Sequence, residues 1–101
     1  MELFFLRTCQ ACPEQYEVYT KNGEQVGYVR LRWGSLTAYH PDYGTELIYQ
    51  YDFNDGFKGC FDSEEERDKH LTNILSKLKH KLYADNVDCS FIVTDNPDDI
   101  K

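Results

Sequence analysis

Between residues 25 and 34 the chain reads QVGYVRLRWG, with apolar and polar side chains alternating at the period of a β-strand. One face carries Val29, Leu31 and Trp33; the other carries Tyr28, Arg30 and Arg32. The first face requires a core, whereas the second shows a ring and two guanidinium groups to solvent or a ligand. Residues 15–20 alternate in the same way, Tyr16, Val18 and Thr20 against Glu17 and Tyr19. Asn22-Gly23 between the two runs tolerates the positive φ angles of a type I′ turn, which predicts an antiparallel hairpin of residues 15–20 with 25–33. Gly34-Ser35 predicts a second tight turn into residues 36–40, and Pro41-Asp42-Tyr43-Gly44 has the order of a β-turn leading to a strand over 45–51. Short connections favour a meander in which neighbours in sequence are neighbours in the sheet.

Residues 2–8 predict a first strand, apolar on both sides at Phe4 and Phe5, as in a strand covered on both faces. A loop follows over 9–14, where Pro13 restricts Cys12 to extended backbone. Residues 52–59 form a polar loop before a helix over 63–83. Asp62 with Glu65 and Ser63 with Glu66 both have capping-box spacing, and basic residues Lys77, Lys79, His80 and Lys81 suit the far end of the dipole. Leu71, Ile74, Leu75, Leu78 and Leu82 make a single apolar stripe. Asp85-Asn86 ends the helix, residues 89–94 (CSFIVT) form a last strand placed beside the first, and the polar tail from about residue 95 is expected to fray. The fold class expected is α+β: one domain over residues 1–101, an antiparallel meander of five or six strands with one amphipathic helix packed on one face.

Charge changes the functional picture more than composition does. A net charge of −7, with acids clustered over residues 62–68, disfavours direct duplex nucleic-acid binding and favours basic protein partners, although such charge commonly serves solubility alone. The apolar run 3–6 is too short for a signal peptide, no stretch is a membrane span, and the four cysteines are therefore expected as reduced thiols in a cytoplasmic protein.

Cys9 and Cys12 form a C-x-x-C pair, a weak zinc candidate because no second pair completes four ligands. His40, His70 and His80 are expected at the surface. No nucleophile elbow, phosphate loop, H-E-x-x-H or dinucleotide fingerprint occurs, so no enzyme and no cofactor are expected. Eight tyrosines are many for 101 residues, and Tyr28 and Tyr39 share an alternation class with Arg30, Arg32 and Thr37. Such a face stacks rings or grips anions, although cross-strand aromatic pairs also serve sheet stability. Glu64 and Glu65, at the start of the helix, are candidates for contacting a basic partner.

The segments PEQYEV (13–18) and QVGYVRLR (25–32), with Tyr49, Cys60-Phe61 and Glu66-Arg67, resemble a pattern of small uncharacterised phage and prophage proteins. The resemblance spans residues 13–78 and implies a bacterial or phage cytoplasm, with no activity, cofactor or residue role to carry over. The function expected is a small acidic binding or regulatory protein that occupies a protein partner. The alternative is a small-ligand or zinc-binding protein using Cys9 and Cys12 or the Tyr28, Arg30 and Arg32 face.

Overall fold

The computed structural model describes residues 1–9, 12–82, 84 and 86–100. Its strands are β1 (Glu2–Arg7), β2 (Glu14–Thr20), β3 (Gln25–Arg32), β4 (Ser35–His40), β5 (Glu46–Asp52) and β6 (Ser90–Thr94), with helix α1 (Glu64–Lys81) between β5 and β6 and a 3₁₀ turn at Pro97–Asp99. The six strands form one sheet in the order β5-β4-β3-β2-β1-β6. The α+β class and the sequential meander are as expected. The sheet is mixed, however, because β6 pairs with β1 in parallel, Leu3 opposite Phe91 and Phe5 opposite Val93. The physical reason is the connection: α1 carries the chain from the β5 edge back across the sheet, the kind of long crossover that parallel pairing needs.

Helix α1 starts where Ser63 Oγ accepts from Glu66 N–H at 3.1 Å, so Ser63, not Asp62, is the cap. Glu66 Oε1 in turn accepts from Asp62 N–H at 3.0 Å. The expected helix end at Tyr83 and the stop at Asp85 lie outside the described residues. Leu71, Ile74, Leu75 and Leu78 are buried in one cluster with Leu3, Phe5, Tyr16, Val18, Val29, Leu31, Leu36 and Ala38 of the sheet. Gly27 permits the closest approach: a Cβ there would lie 3.2 Å from Leu78 Cδ2 and 3.3 Å from both Tyr39 O and Val18 Cβ.

Both hairpin turns differ from expectation. Gly23 alone has positive φ in the first turn, where Gly23 N–H donates to Thr20 O at 2.9 Å, and the β2–β3 pairing separately shifts register between Val18 and Tyr19. The second turn is centred on Trp33 and Gly34, with φ of 54° and 74° and Arg32 opposite Ser35. Trp33 therefore leaves the core face it would share with Val29 and Leu31 and is 66% exposed. Register decides this, since placing Leu31 opposite Leu36 on the core face leaves only Trp33 and Gly34 to turn the chain.

The expectation of four reduced thiols is overturned at two positions. Cys12 and Cys60 are disulfide-bonded, their Cα atoms 5.4 Å apart across 48 positions of sequence. Spacing could not reveal it; the loops meet because Glu14 N–H donates to Gly59 O at 2.7 Å. The polar tail forms a 3₁₀ turn over Pro97–Asp99, capped by Asn96, and buried Thr94 bonds to Asp99.

Leu31→Ala is expected to cost about 2–5 kcal/mol by leaving a core cavity, and Gly27→Ala about 1–3 kcal/mol by crowding Leu78, both read from urea midpoints. Combining Gly27→Ala with Leu78→Ala yields a loss smaller than the sum if the crowding is correctly located. Reducing the Cys12–Cys60 bond is expected to cost up to about 4 kcal/mol from the loop it closes, measured as the oxidised-minus-reduced difference in unfolding free energy.

Candidate functional site

The face of the sheet turned away from α1 is built by the outward positions of β3 and β4, where Tyr28 stands opposite Tyr39 and Arg30 opposite Thr37. Onto them folds Tyr43 from the β4–β5 turn, its ring centroid 5.3 Å from that of Tyr28 and 5.4 Å from that of Tyr39, both edge-on. Arg30 Nη2 donates to Tyr43 Oη at 3.0 Å, with its Cζ 4.6 Å from the ring centroid. The turn itself is pinned: Asp42 Oδ1 accepts from Tyr43 N–H at 2.7 Å and from Gln25 Nε2 at 3.2 Å, and Gly44 supplies a φ of 77°. Burial raises the Tyr28 phenol above its ordinary pKa, keeping it a neutral donor. Beside this group Tyr19 donates to Glu17 at 2.6 Å, and that bond, with burial, pushes its phenol up to about 12.

The structure thus brings Tyr28, Arg30 and Tyr39 together and adds Tyr43, which sequence reasoning treated as a turn residue. Its signal was a ring at the centre of a turn that joins two strands, one of them already carrying a tyrosine on the outer face. Arg32 lies further along the same face, its guanidinium 5.8 Å from the Trp33 ring. In a chain with 18 acids, neither Arg30 nor Arg32 makes an ion pair among the described residues.

Glu64 and Glu65 do not join this face. They are exposed in the first turn of α1, on the opposite side of the sheet, next to acids already engaged in structure. Lys58 Nζ lies 2.8 Å from Asp62 and 3.2 Å from Glu66, and Arg67 pairs with Asp68 at 3.0 Å. The disulfide takes Cys12 out of the C-x-x-C couple and leaves Cys9 a free thiol. Among the described residues no group of three or more His, Cys, Asp or Glu is placed to hold a metal ion.

Two buried polar groups escaped sequence reasoning. Glu14, placed by its proline neighbour in a loop, opens β2 and is 6% exposed; its Oε2 accepts from Tyr16 Oη at 2.6 Å and its Oε1 from Phe61 N–H at 2.9 Å. Burial, then the Glu14 bond, drives the Tyr16 phenol well above its ordinary range. His70, expected at the surface, is 4% exposed among Tyr49, Tyr51, Phe53 and Phe61, and its Nδ1 lies 3.0 Å from Tyr49 Oη. The helical stripe included position 70 by spacing, but a histidine there reads equally as the polar margin of that stripe. His40 is half-buried with Nδ1 2.6 Å from Val26 O; the carbonyl only accepts, so the ring proton sits on Nδ1.

Comparison with protein-family models, with curated proteins and with solved structures finds no match to the chain.

Burial lowers the pKa of His70, against the opposing pull of Glu66 and with the help of Lys69 and Lys58. Below about 6.5 the unfolded chain binds a proton that the folded chain refuses, so this contribution to stability is complete above that pH and falls as the pH drops below it. Urea midpoints at pH 7.5 and pH 5 check this: the wild type loses stability on acidification, and His70→Gln loses less.

Proposed function

We propose that the chain is a non-enzymatic binding protein that acts by occupying a protein partner, and that it does so through the open tyrosine face of β3 and β4. The observation that carries this reading is Tyr43, which folds across Tyr28 and Tyr39 and holds Arg30 by a hydrogen bond and a ring contact. Tyrosine and arginine are among the residue types that dominate binding energy at protein interfaces, because each offers a large apolar body with a polar end, and tyrosine in addition orders at low entropic cost. Here the ordering is already complete in the free chain, which lowers the cost of association. Arg30 and Arg32, without acid partners among the described residues, are free to take a partner's carboxylates in bidentate geometry.

The acids that make the chain net −7 give the molecule as a whole a field that steers basic or mixed-charge surfaces and repels purely acidic ones. Among the described residues no helix is long and apolar enough to cross a membrane. The setting that goes with this reading is a bacterial or phage cytoplasm, where the thiol pool competes with the exposed Cys12–Cys60 bond; oxidised and reduced forms are therefore both to be assayed.

The test compares immobilised wild type with two variants, Tyr39→Ala/Tyr43→Ala and Arg30→Ala/Arg32→Ala, in lysate from bacteria with and without phage. A partner retained by the wild type is expected to be lost from both variants, each weakened by about 30-fold or more. Both variants are expected to melt within about 1 kcal/mol of the wild type, since these side chains lie outside the core. Retention of the same partner by both variants, or collapse of the arginine variant's stability, overturns the reading.

A further inference from the structure

Beyond the tyrosines, at the end of the sheet where β3 turns into β4, Cys12, Pro13, Arg32, Trp33, Phe57 and Gly59 surround an open pocket of about 400 Å³. Two of its walls are large rings standing in water, Phe57 at 87% exposure and Trp33 at 66%. Trp33 also has a φ of 54°, in the left-handed region that bulky side chains avoid, and its exposed ring gains no core packing in exchange.

Neither ring hangs on a loose loop. Gly34 N–H donates to Lys58 O and Phe53 N–H to Gly34 O, both at 2.8 Å, and Phe57 N–H donates to Asp55 Oδ1 at 2.9 Å. The two loops touch so closely that a Cβ on Gly34 would lie 2.3 Å from Asp55 O. The Cys12–Cys60 bond and the Glu14-to-Gly59 hydrogen bond tie down the floor. Strain, exposure and bracing together describe side chains preorganised for something outside the chain. Arg32 stands on the rim beside Trp33 with no ion pair among the described residues.

We infer that this pocket binds the C-terminal residue of a partner chain, its aromatic side chain entering between Trp33 and Phe57 and its free carboxylate taken by Arg32. The ring-binding wall and the cation come from adjacent residues, with the Arg32 guanidinium 5.8 Å from the Trp33 ring. The ligand must therefore carry its ring and its anion close together on one side. Within an extended segment, successive side chains point to opposite faces, so an aromatic residue next to an internal Asp or Glu diverges from it. A C-terminal aromatic residue has both groups on one Cα. This site goes beyond the tyrosine face and shares only Arg32 with it: Trp33 and Phe57 do not belong to that face, so Phe57→Ala here and Tyr39→Ala/Tyr43→Ala in the lysate comparison separate the two readings.

Trp33 is the chain's single tryptophan, so its fluorescence reports the pocket directly. The probes are N-acetyl-phenylalanine and its neutral amide. The acid is expected to give a saturable change with half-saturation near about 1 mM, reasonable for a ligand of its size in an open pocket. The amide is expected to bind about five-fold more weakly, Arg32→Ala to bring the acid down to the level of the amide, and Phe57→Ala to weaken both by about ten-fold. Thermal melts of each variant confirm folding. No saturation below about 10 mM, equal binding of acid and amide by the wild type, or full binding by folded Phe57→Ala each overturns the proposal.

Discussion

A single helix has to cover the apolar face of a six-stranded sheet, and most of the structure follows from how it does so. The stripe Leu71, Ile74, Leu75 and Leu78 is buried against the middle strands, with Gly27 removing the side chain that would hold Leu78 off. One stripe is narrower than six strands, so other groups close the flanks. Phe91 and Val93 pack beside it from β6, and Tyr49, Phe53 and Phe61 gather at the β5 side around His70. Burying an imidazole there is tolerable because Tyr49 satisfies one ring nitrogen and the surrounding rings keep the group neutral. With its apolar residues committed to that layer, the chain leaves the far face of β3 and β4 polar and aromatic.

The strands, their order and the helix were legible because they rest on periodicity and on turn residues, which are local properties. The pairing of the last strand beside the first had no local signal behind it. Its direction, parallel, depended on how far the helix carries the chain. What failed were features decided by register or by distant contacts. Trp33 continues an apolar alternation perfectly well, and only the pairing of Leu31 with Leu36 turns it out of the core. His70 and Glu14 are polar residues whose burial depends on partners far away in sequence: Tyr49 for one, Phe61 for the other. The Cys12–Cys60 bond belongs to the same class, since nothing in a C-x-x-C spacing points to a cysteine beyond the meander.

The candidate site divides along the same line. Tyr28, Arg30 and Tyr39 were visible as an alternating face because their alignment needs only the hairpin register. Tyr43 was not, because a turn residue's direction depends on the turn's geometry, here set by Asp42 and Gly44. Glu64 and Glu65 were correctly placed at the helix start, yet the helix lies on the opposite layer, so they stand apart from the tyrosine face.

The β1–β6 pair has a consequence for how the chain reaches this fold. Strands β1 to β5 meet their neighbours across short turns, so each contact closes a small loop at little entropic cost. Leu3 and Phe91, by contrast, meet only after nearly the whole chain has been drawn into place. Non-local pairings of this kind slow folding. The meander and the helix that rests on it can therefore assemble as a nucleus, with β6 closing last against an already formed β1. Until it does, β1 presents an open, strongly apolar edge (Leu3, Phe4, Phe5). In the partly folded chain that edge is the template for joining a second molecule, and β6 acts as its built-in cover.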